Sequence, residues 1–306
     1  MAFVALFFRR GLSVVAFAII GSARCLGAAD HDTAFWKSIA DNKFAVPSGQ
    51  LAGALALEVA DLASSSDATV RDAYGYEILA AWIYRDHRLA PNELEALHKK
   101  LLPGMLFHIG ESDTDTIFRR SFSALYMSLL AAEDLTKPFL PQAGFDETLA
   151  TALRCYANEK DLRGYVPGKG WAHATAHVAD LIKFLARNDK LSPDLQKRIV
   201  AGVAQRSRTA GQVFVWGEDA RMAAALLSLT NRKDFDPVGF GDWFKTLIPE
   251  NKELWTSPTI VPAAYASVRV QGNVLAHLAA KIASQKENQS PADFRASLNA
   301  TLLEVD

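Results

Sequence analysis

From about residue 30 to the C-terminal end, apolar positions recur at helical spacing. Phe35, Trp36 and Ile39 predict a short entry helix, and the run from Leu51 to Leu62 a second. A longer helix is predicted over residues 68–87, with Asp67 as its cap. Pro91 stands at a first-turn position ahead of Leu94, Leu97, Leu101 and Leu102, which share one face. Helices are then expected over 113–132 and 146–156, 171–187 and 193–208, and 218–229 and 237–247. Pro258 and Pro262 precede a long helix over 263–284, and Pro291 opens a last one. Gln212-Val213-Phe214-Val215-Trp216 is the single short strand candidate, and a buried loop accounts for it equally well. The pattern predicts an all-α fold.

Helices that begin near residues 67, 113, 171, 217 and 262 are separated by about 46, 58, 46 and 45 residues. The helices that follow them often open with proline, at Pro91, Pro193, Pro237 and Pro291. Helical hairpins recurring at about 40–47 residues are the mark of HEAT- or armadillo-like arrays. The expected architecture is therefore a solenoid of hairpins, open or curled towards an α/α toroid. The alternative is an irregular helical bundle.

One stretch, Asp161 to Asp180, reads D-L-R-G-Y-V-P-G-K-G-W-A-H-A-T-A-H-V-A-D. Its glycines and Pro167 predict a turn-rich loop carrying Asp161, Arg163, Tyr165 and Lys169. A helix is expected from about Trp171. On it His177 would lie roughly 40° from His173, with Asp180 about 20° to the other side, so all three share a stripe. In the hairpin register Glu111, Asp113, Asp115 and Arg119 precede this cluster, and Glu218, Asp219 and Arg221 follow it. Equivalent helices in stacked hairpins pack ~8–10 Å apart, so the three clusters are expected around one concavity. Acidic residues in a first turn also stabilise a helix unaided, which accounts for Asp113, Glu218 and Asp219 without any ligand.

The N-terminal residues 1–29 have a secretory layout: Arg9-Arg10, an apolar run from Leu12 to Ile20, then small residues through Ala29. Residues 30–306 are expected to form one exported helical domain, periplasmic or secreted, with no stable membrane span after cleavage. Cys25 would leave with the signal, and Cys155 then has no partner for an intramolecular disulfide. The formal net charge of -1 and the lack of a basic stripe argue against nucleic acid as a partner.

The run from Asp161 to Asp180 resembles the signature of a bacterial family, domain-of-unknown-function family 2785. The resemblance extends to I-F-R-R-S-F-S-A-L (Ile117 to Leu125) and to G-E-D-A-R (Gly217 to Arg221). It implies an armadillo-like helical fold and assigns no reaction.

Four readings of the central cluster follow. His173, His177 and Asp180 are candidate ligands for a divalent metal such as zinc, in a hydrolase where Arg163, Lys169 or Arg221 holds an anionic substrate. The H-E-x-x-H pattern is absent, because Ala174 stands at the glutamate position. Alternatively either histidine is a metal-free general base oriented by Asp180 or Asp161. A third reading is a non-catalytic scaffold that binds a peptide, glycan or small anionic molecule through Trp171, Tyr165 and Arg163. The plainest reading is a clasp in which Asp161 and Arg163 pair across the loop and hold neighbouring hairpins together.

Overall fold

Caps and prolines start most helices where the sequence places them. Asp32 accepts the Phe35 N–H at 2.9 Å, Asp67 that of Thr69 at 2.8 Å, and Ser192 that of Leu195 at 3.3 Å. The computed structural model describes residues 31–285 and 290–305. The expected signal segment and Cys25 lie outside them. The helices are α1 (Thr33–Asp41), α2 (Ala52–Val59), α3 (residues 69–85), α4 (Pro91–Leu101), α5 (Thr116–Thr136) and α6 (Gln142–Asn158). After a two-residue hairpin, β1 (Tyr165–Val166) and β2 (Gly170–Trp171), come α7 (Ala174–Leu185), α8 (Pro193–Arg208), α9 (Glu218–Thr230), α10 (Val238–Thr256), α11 (Pro262–Ala283) and α12 (Ala292–Val305). The fold is all-α. None of these helices is long and apolar enough to cross a membrane.

Several elements differ from expectation. Much of α3 is wound with wide i→i+5 turns rather than as a plain α-helix. Inside it the Tyr126 hydroxyl donates to the Arg71 carbonyl at 2.8 Å and lies against Gly75, where a Cβ would sit 1.9 Å from the oxygen. A side chain inserted into the ladder in this way accompanies such widening. Helix α10 continues to Thr256, through Pro249, because Leu247 and Leu254 stay buried on the same face and outweigh the lost N–H. Residues 212–216 form neither a strand nor a fully buried loop: Phe214 is buried, while Val215 and Trp216 face solvent.

Helix α3 packs on α5, α5 on α7, α7 on α9, and α9 on α11, while α6, α8, α10 and α12 pack in succession beside them. Side-chain bonds fix the direction of the first row. His177 meets Ser121 near the starts of α7 and α5, and Asn188 meets Asp134 near their ends. Asp180 pairs with Arg221, and one turn pair later Arg187 donates to Ser228. Helices α5, α7 and α9 therefore run parallel, with their N-terminal ends together. One large apolar core lies between the rows, built around Trp82, Phe122, Tyr156, Leu181 and Phe240.

Candidate functional site

The segment from Glu159 to His173 lies across the N-terminal ends of α5, α7 and α9. Gly168 and Gly170 adopt φ of 76° and 78°, which lets the chain reverse between β1 and β2. Tyr165 pairs with Trp171 and Val166 with Gly170. The ladder then continues past β2, as Ala172 N–H donates to the Gly164 carbonyl at 2.8 Å and His173 N–H to the Arg163 carbonyl at 3.0 Å. These bonds correct the expected helix start. The ladder holds Trp171 and Ala172 extended, which is incompatible with helical backbone, so α7 begins at Ala174 and Trp171 belongs to a strand. His173 makes the corner in a left-handed conformation, φ 49° and ψ 34°. Ile117, Phe118, Ala172 and Ala174 form a small separate core beneath the hairpin, with Val166 packed on it.

Three buried arginines hold this segment in place. Arg71 from α3 donates to the carbonyls of Lys169 (2.7 Å) and Trp171 (3.3 Å), its guanidinium lying over the Phe118 and Phe122 rings. Arg120 from α5 makes a two-pronged contact with Glu159 and also donates to the carbonyls of Phe107, His108 and Glu111. Arg206 from α8 donates to the Glu159 carbonyl (2.6 Å) and to the Thr175 hydroxyl. Asp161 accepts from Arg163 and from the Asp113 N–H at 3.0 Å, while Lys169 pairs with Asp115 at 2.7 Å. The expected clasp between Asp161 and Arg163 is present. Asp113 sits in a left-handed turn before α5 rather than in its first turn.

Both histidines are buried. His177 Nδ1 lies 2.7 Å from Ser121 Oγ, and that hydroxyl also donates to the Ala172 carbonyl. The His177 ring packs edge-on to Phe122 and to His173. His173 stacks on Trp171, with ring centres 5.0 Å apart. Burial, then the Arg221 charge, pushes His173 down to about 4, partly opposed by a hydrogen bond to the Trp216 backbone. Burial, with His173 and Arg221 beside it, pushes His177 down to about 3. Both rings are neutral at neutral pH.

The carboxylates do not complete a triad with them. Asp180 is paired with Arg221 and lies 3.6 Å from Lys183. Burial still raises its pKa more than these cations lower it. Glu218 is buried, which raises its pKa, and it accepts the Trp216 N–H at 2.9 Å. Its Oε1 lies 3.7 Å from His173 Nε2, which has no hydrogen-bond partner. Asp219 faces His277 at 3.7 Å. Among the described residues no group of three or more His, Cys, Asp or Glu side chains is arranged to hold a metal. Of the expected stripe the two histidines remain neighbours, with ring centres 5.8 Å apart, although His173 precedes the helix, while Asp180 turns towards Arg221 of α9.

Beside the β-hairpin lies an open groove of about 420 Å³, lined by Asp113, Asp161, Arg163, Tyr165, Gln212 and Trp216 among others. Tyr165, Trp171 and Trp216 are 49%, 38% and 45% exposed, yet they touch one another. Trp171 meets Tyr165 at 5.4 Å and Trp216 at 5.8 Å between ring centres, with interplanar angles of 80° and 84°. The single expected concavity is thus divided: Asp113, Asp161, Arg163 and Tyr165 line the groove, whereas His173, stacked under Trp171, and His177 and Glu218 are buried and do not line it. Sequence reasoning missed Arg71, Arg120, Ser121, Glu159, Arg206 and Trp216. Arg120 and Ser121 carried a signal, since both interrupt an apolar helical face.

A family profile described as "Protein of unknown function (DUF2785)" matches residues 105–269, more than half of the chain, and the chain belongs to that family. No curated protein and no solved structure matches it.

Proposed function

We propose that this DUF2785 member is an exported recognition protein, a HEAT- or armadillo-like array of helical hairpins that binds a ligand at the groove beside its central β-hairpin without turning it over. One observation carries the reading. The charged groups that looked catalytic in the sequence are spent on one another, while three aromatic rings stand exposed in one contiguous group. Arg163, Lys169 and Arg221 are held by Asp161, Asp115 and Asp180, and the two imidazoles are buried and neutral. A grouped exposed aromatic surface beside polar side chains is a binding feature, since the core gains little from it. Equivalent helix ends in an array place such surfaces side by side, and the secretory layout of residues 1–29 supports an extracytoplasmic setting.

The test is a thermal-shift screen of sugars, peptides and small anions, followed by recovery and analysis of any ligand that raises the melting temperature. A ligand at about 100 times its Kd stabilises the folded state by about 2.7 kcal/mol. The ligand should be recovered unchanged. Its conversion by the parent protein, lost in His173→Ala, would sink the non-catalytic reading.

A hydrolytic reading has one observation in its favour. The buried His173 Nε2 has no hydrogen-bond partner and lies 3.7 Å from Glu218 Oε1, a pair that a water or an ion bound to both would complete. Stoichiometric zinc or another divalent metal in the purified protein, absent from His173→Ala, would favour that reading.

A further inference from the structure

We infer that the ligand of this groove is a neutral glycan whose sugar rings lie against Tyr165 and Trp216, which line it, and against the exposed Trp171 ring that touches both, an inference that rests on the recognition reading above. A pyranose offers a face of C–H groups and a rim of hydroxyls. It therefore needs an aromatic plane beside planar hydrogen-bonding groups. The groove supplies both. The rings meet nearly at right angles, so the exposed surface presents ring faces in more than one direction, which suits successive residues of a chain better than a single flat ligand. Beside them Asp113 offers a carboxylate whose side chain is 84% exposed, and Gln212 an amide that both donates and accepts.

The charge arrangement speaks against an anion. Arg163 already spends Nε and Nη2 on Asp161 and donates from Nη2 to the Thr114 carbonyl, and Lys169 is taken by Asp115. Arg163 and Lys169 are therefore neutralised before any ligand arrives; the exposed Lys160 also lines the groove, but with Arg163 it is balanced by Asp113 and Asp161, so the lining carries no net positive charge. A peptide fits less well too. Strands of two residues give no sheet edge for an added strand, and the charged lining does not suit the apolar face of a helix. A proline-rich segment would suit the rings, but its prolines have no N–H to offer Asp113, the exposed carboxylate of the lining.

Gly164 supplies a way to move a ring without removing it. The Trp216 side chain lies across this glycine so closely that a Cβ there would sit 2.2 Å from the indole. Gly164→Ala should therefore displace Trp216 and keep its chemistry in the chain. Tyr165 follows Gly164 directly, but its ring meets Trp171 and is not the group that lies over Gly164, so Tyr165→Ala is a second perturbation that removes a different ring.

The experiment measures tryptophan fluorescence and titration calorimetry of the full mature chain with soluble cellulose-type, chitin-type and starch-type oligosaccharides. A polyproline peptide, an acidic peptide and inorganic phosphate are titrated alongside, and circular dichroism melts confirm that each variant is folded. The expected result is saturable binding of at least one oligosaccharide, weakened about tenfold or more in Trp216→Ala, Gly164→Ala and Tyr165→Ala. Saturable binding of a peptide or phosphate alone, sensitive to the same variants, overturns the glycan assignment and leaves the recognition site standing. Binding of no probe, or binding indifferent to all three variants, overturns both.

Discussion

Arg120 grips Glu159 with two parallel bonds, Nε to Oε2 at 2.6 Å and Nη2 to Oε1 at 3.0 Å, and both side chains are buried. The remaining guanidinium protons go to backbone carbonyls ahead of α5 and to the Thr116 hydroxyl, and Oε1 also accepts the Asp161 N–H at 2.9 Å. The pair ties the loop before α5 to the segment after α6. Its charges are mutually compensated only while both are present.

Removing one partner should therefore cost far more than replacing both. Arg120→Met or Glu159→Leu alone is expected to destabilise by roughly 3–5 kcal/mol, because each strands a buried charge. That corresponds to a fall of about 10 °C in melting temperature for a domain of this size. The double variant should melt above the worse single variant. Singles that melt within a degree of the parent would show that the loop is held by other contacts.

His177 is the second case. Its ring fills space between Phe122 and His173 and meets the Ser121 hydroxyl. His177→Ala leaves a cavity and a hydroxyl with one partner fewer, for an expected loss of about 1–3 kcal/mol. Ligand affinity at the groove should change much less than in Trp216→Ala. A urea melt beside a binding titration measures both quantities.

The same imidazoles predict how stability depends on pH. Folding lowers His173 from 6.5 to about 4 and His177 from 6.5 to about 3. Above pH 6.5 both rings are neutral in either state and contribute no slope. As pH falls below 6.5 the unfolded chain takes up protons that the folded chain refuses, so stability drops, by at most about 1.4 kcal/mol per pH unit for each ring. The raised Asp180 and Glu218 act the other way, since the folded state binds their protons first on acidification. The stability advantage of the parent over His177→Gln should shrink steadily between pH 6.5 and about 4. Urea melts across that range would contradict the assignment if the difference stayed flat.

Gly170 has two reasons to be glycine. Its φ is +78°, and a Cβ there would lie 2.7 Å from the Ala68 Cβ and 3.4 Å from Arg71 Nη2. The left-handed backbone alone costs an alanine about 1–2 kcal/mol. The crowding adds to this and pushes the hairpin off Arg71. Gly170→Ala should lower the melting temperature by at least several degrees, whereas Gly168→Ala, with the same sign of φ but open space around it, should cost only the backbone share.

The sequence by itself determined the helices and their order. Apolar residues at a 3.6-residue period, proline at first turns and acid caps act within a few residues, so they can be read along the chain: α8 spans Pro193–Arg208 as its pattern predicts. It also marked the right neighbourhood, because a dense run of glycines, charges and aromatics such as Asp161 to Asp180 has no place in a plain helix. What each of those residues does was decided by the tertiary structure. Helical periodicity put His173, His177 and Asp180 on one stripe, but hairpin bonds from Ala172 and His173 hold back the helix start, and Arg221 from α9 draws Asp180 away. The arginines that fix the site, Arg71, Arg120 and Arg206, come from three separate helices, and their bonds to the segment from Glu159 to Trp171 span 39 to 100 residues of sequence. Pairing over such distances depends on which helices become neighbours. Burial, which neutralises the histidines and leaves Trp216 at the surface, depends on the same packing, and no local pattern encodes it.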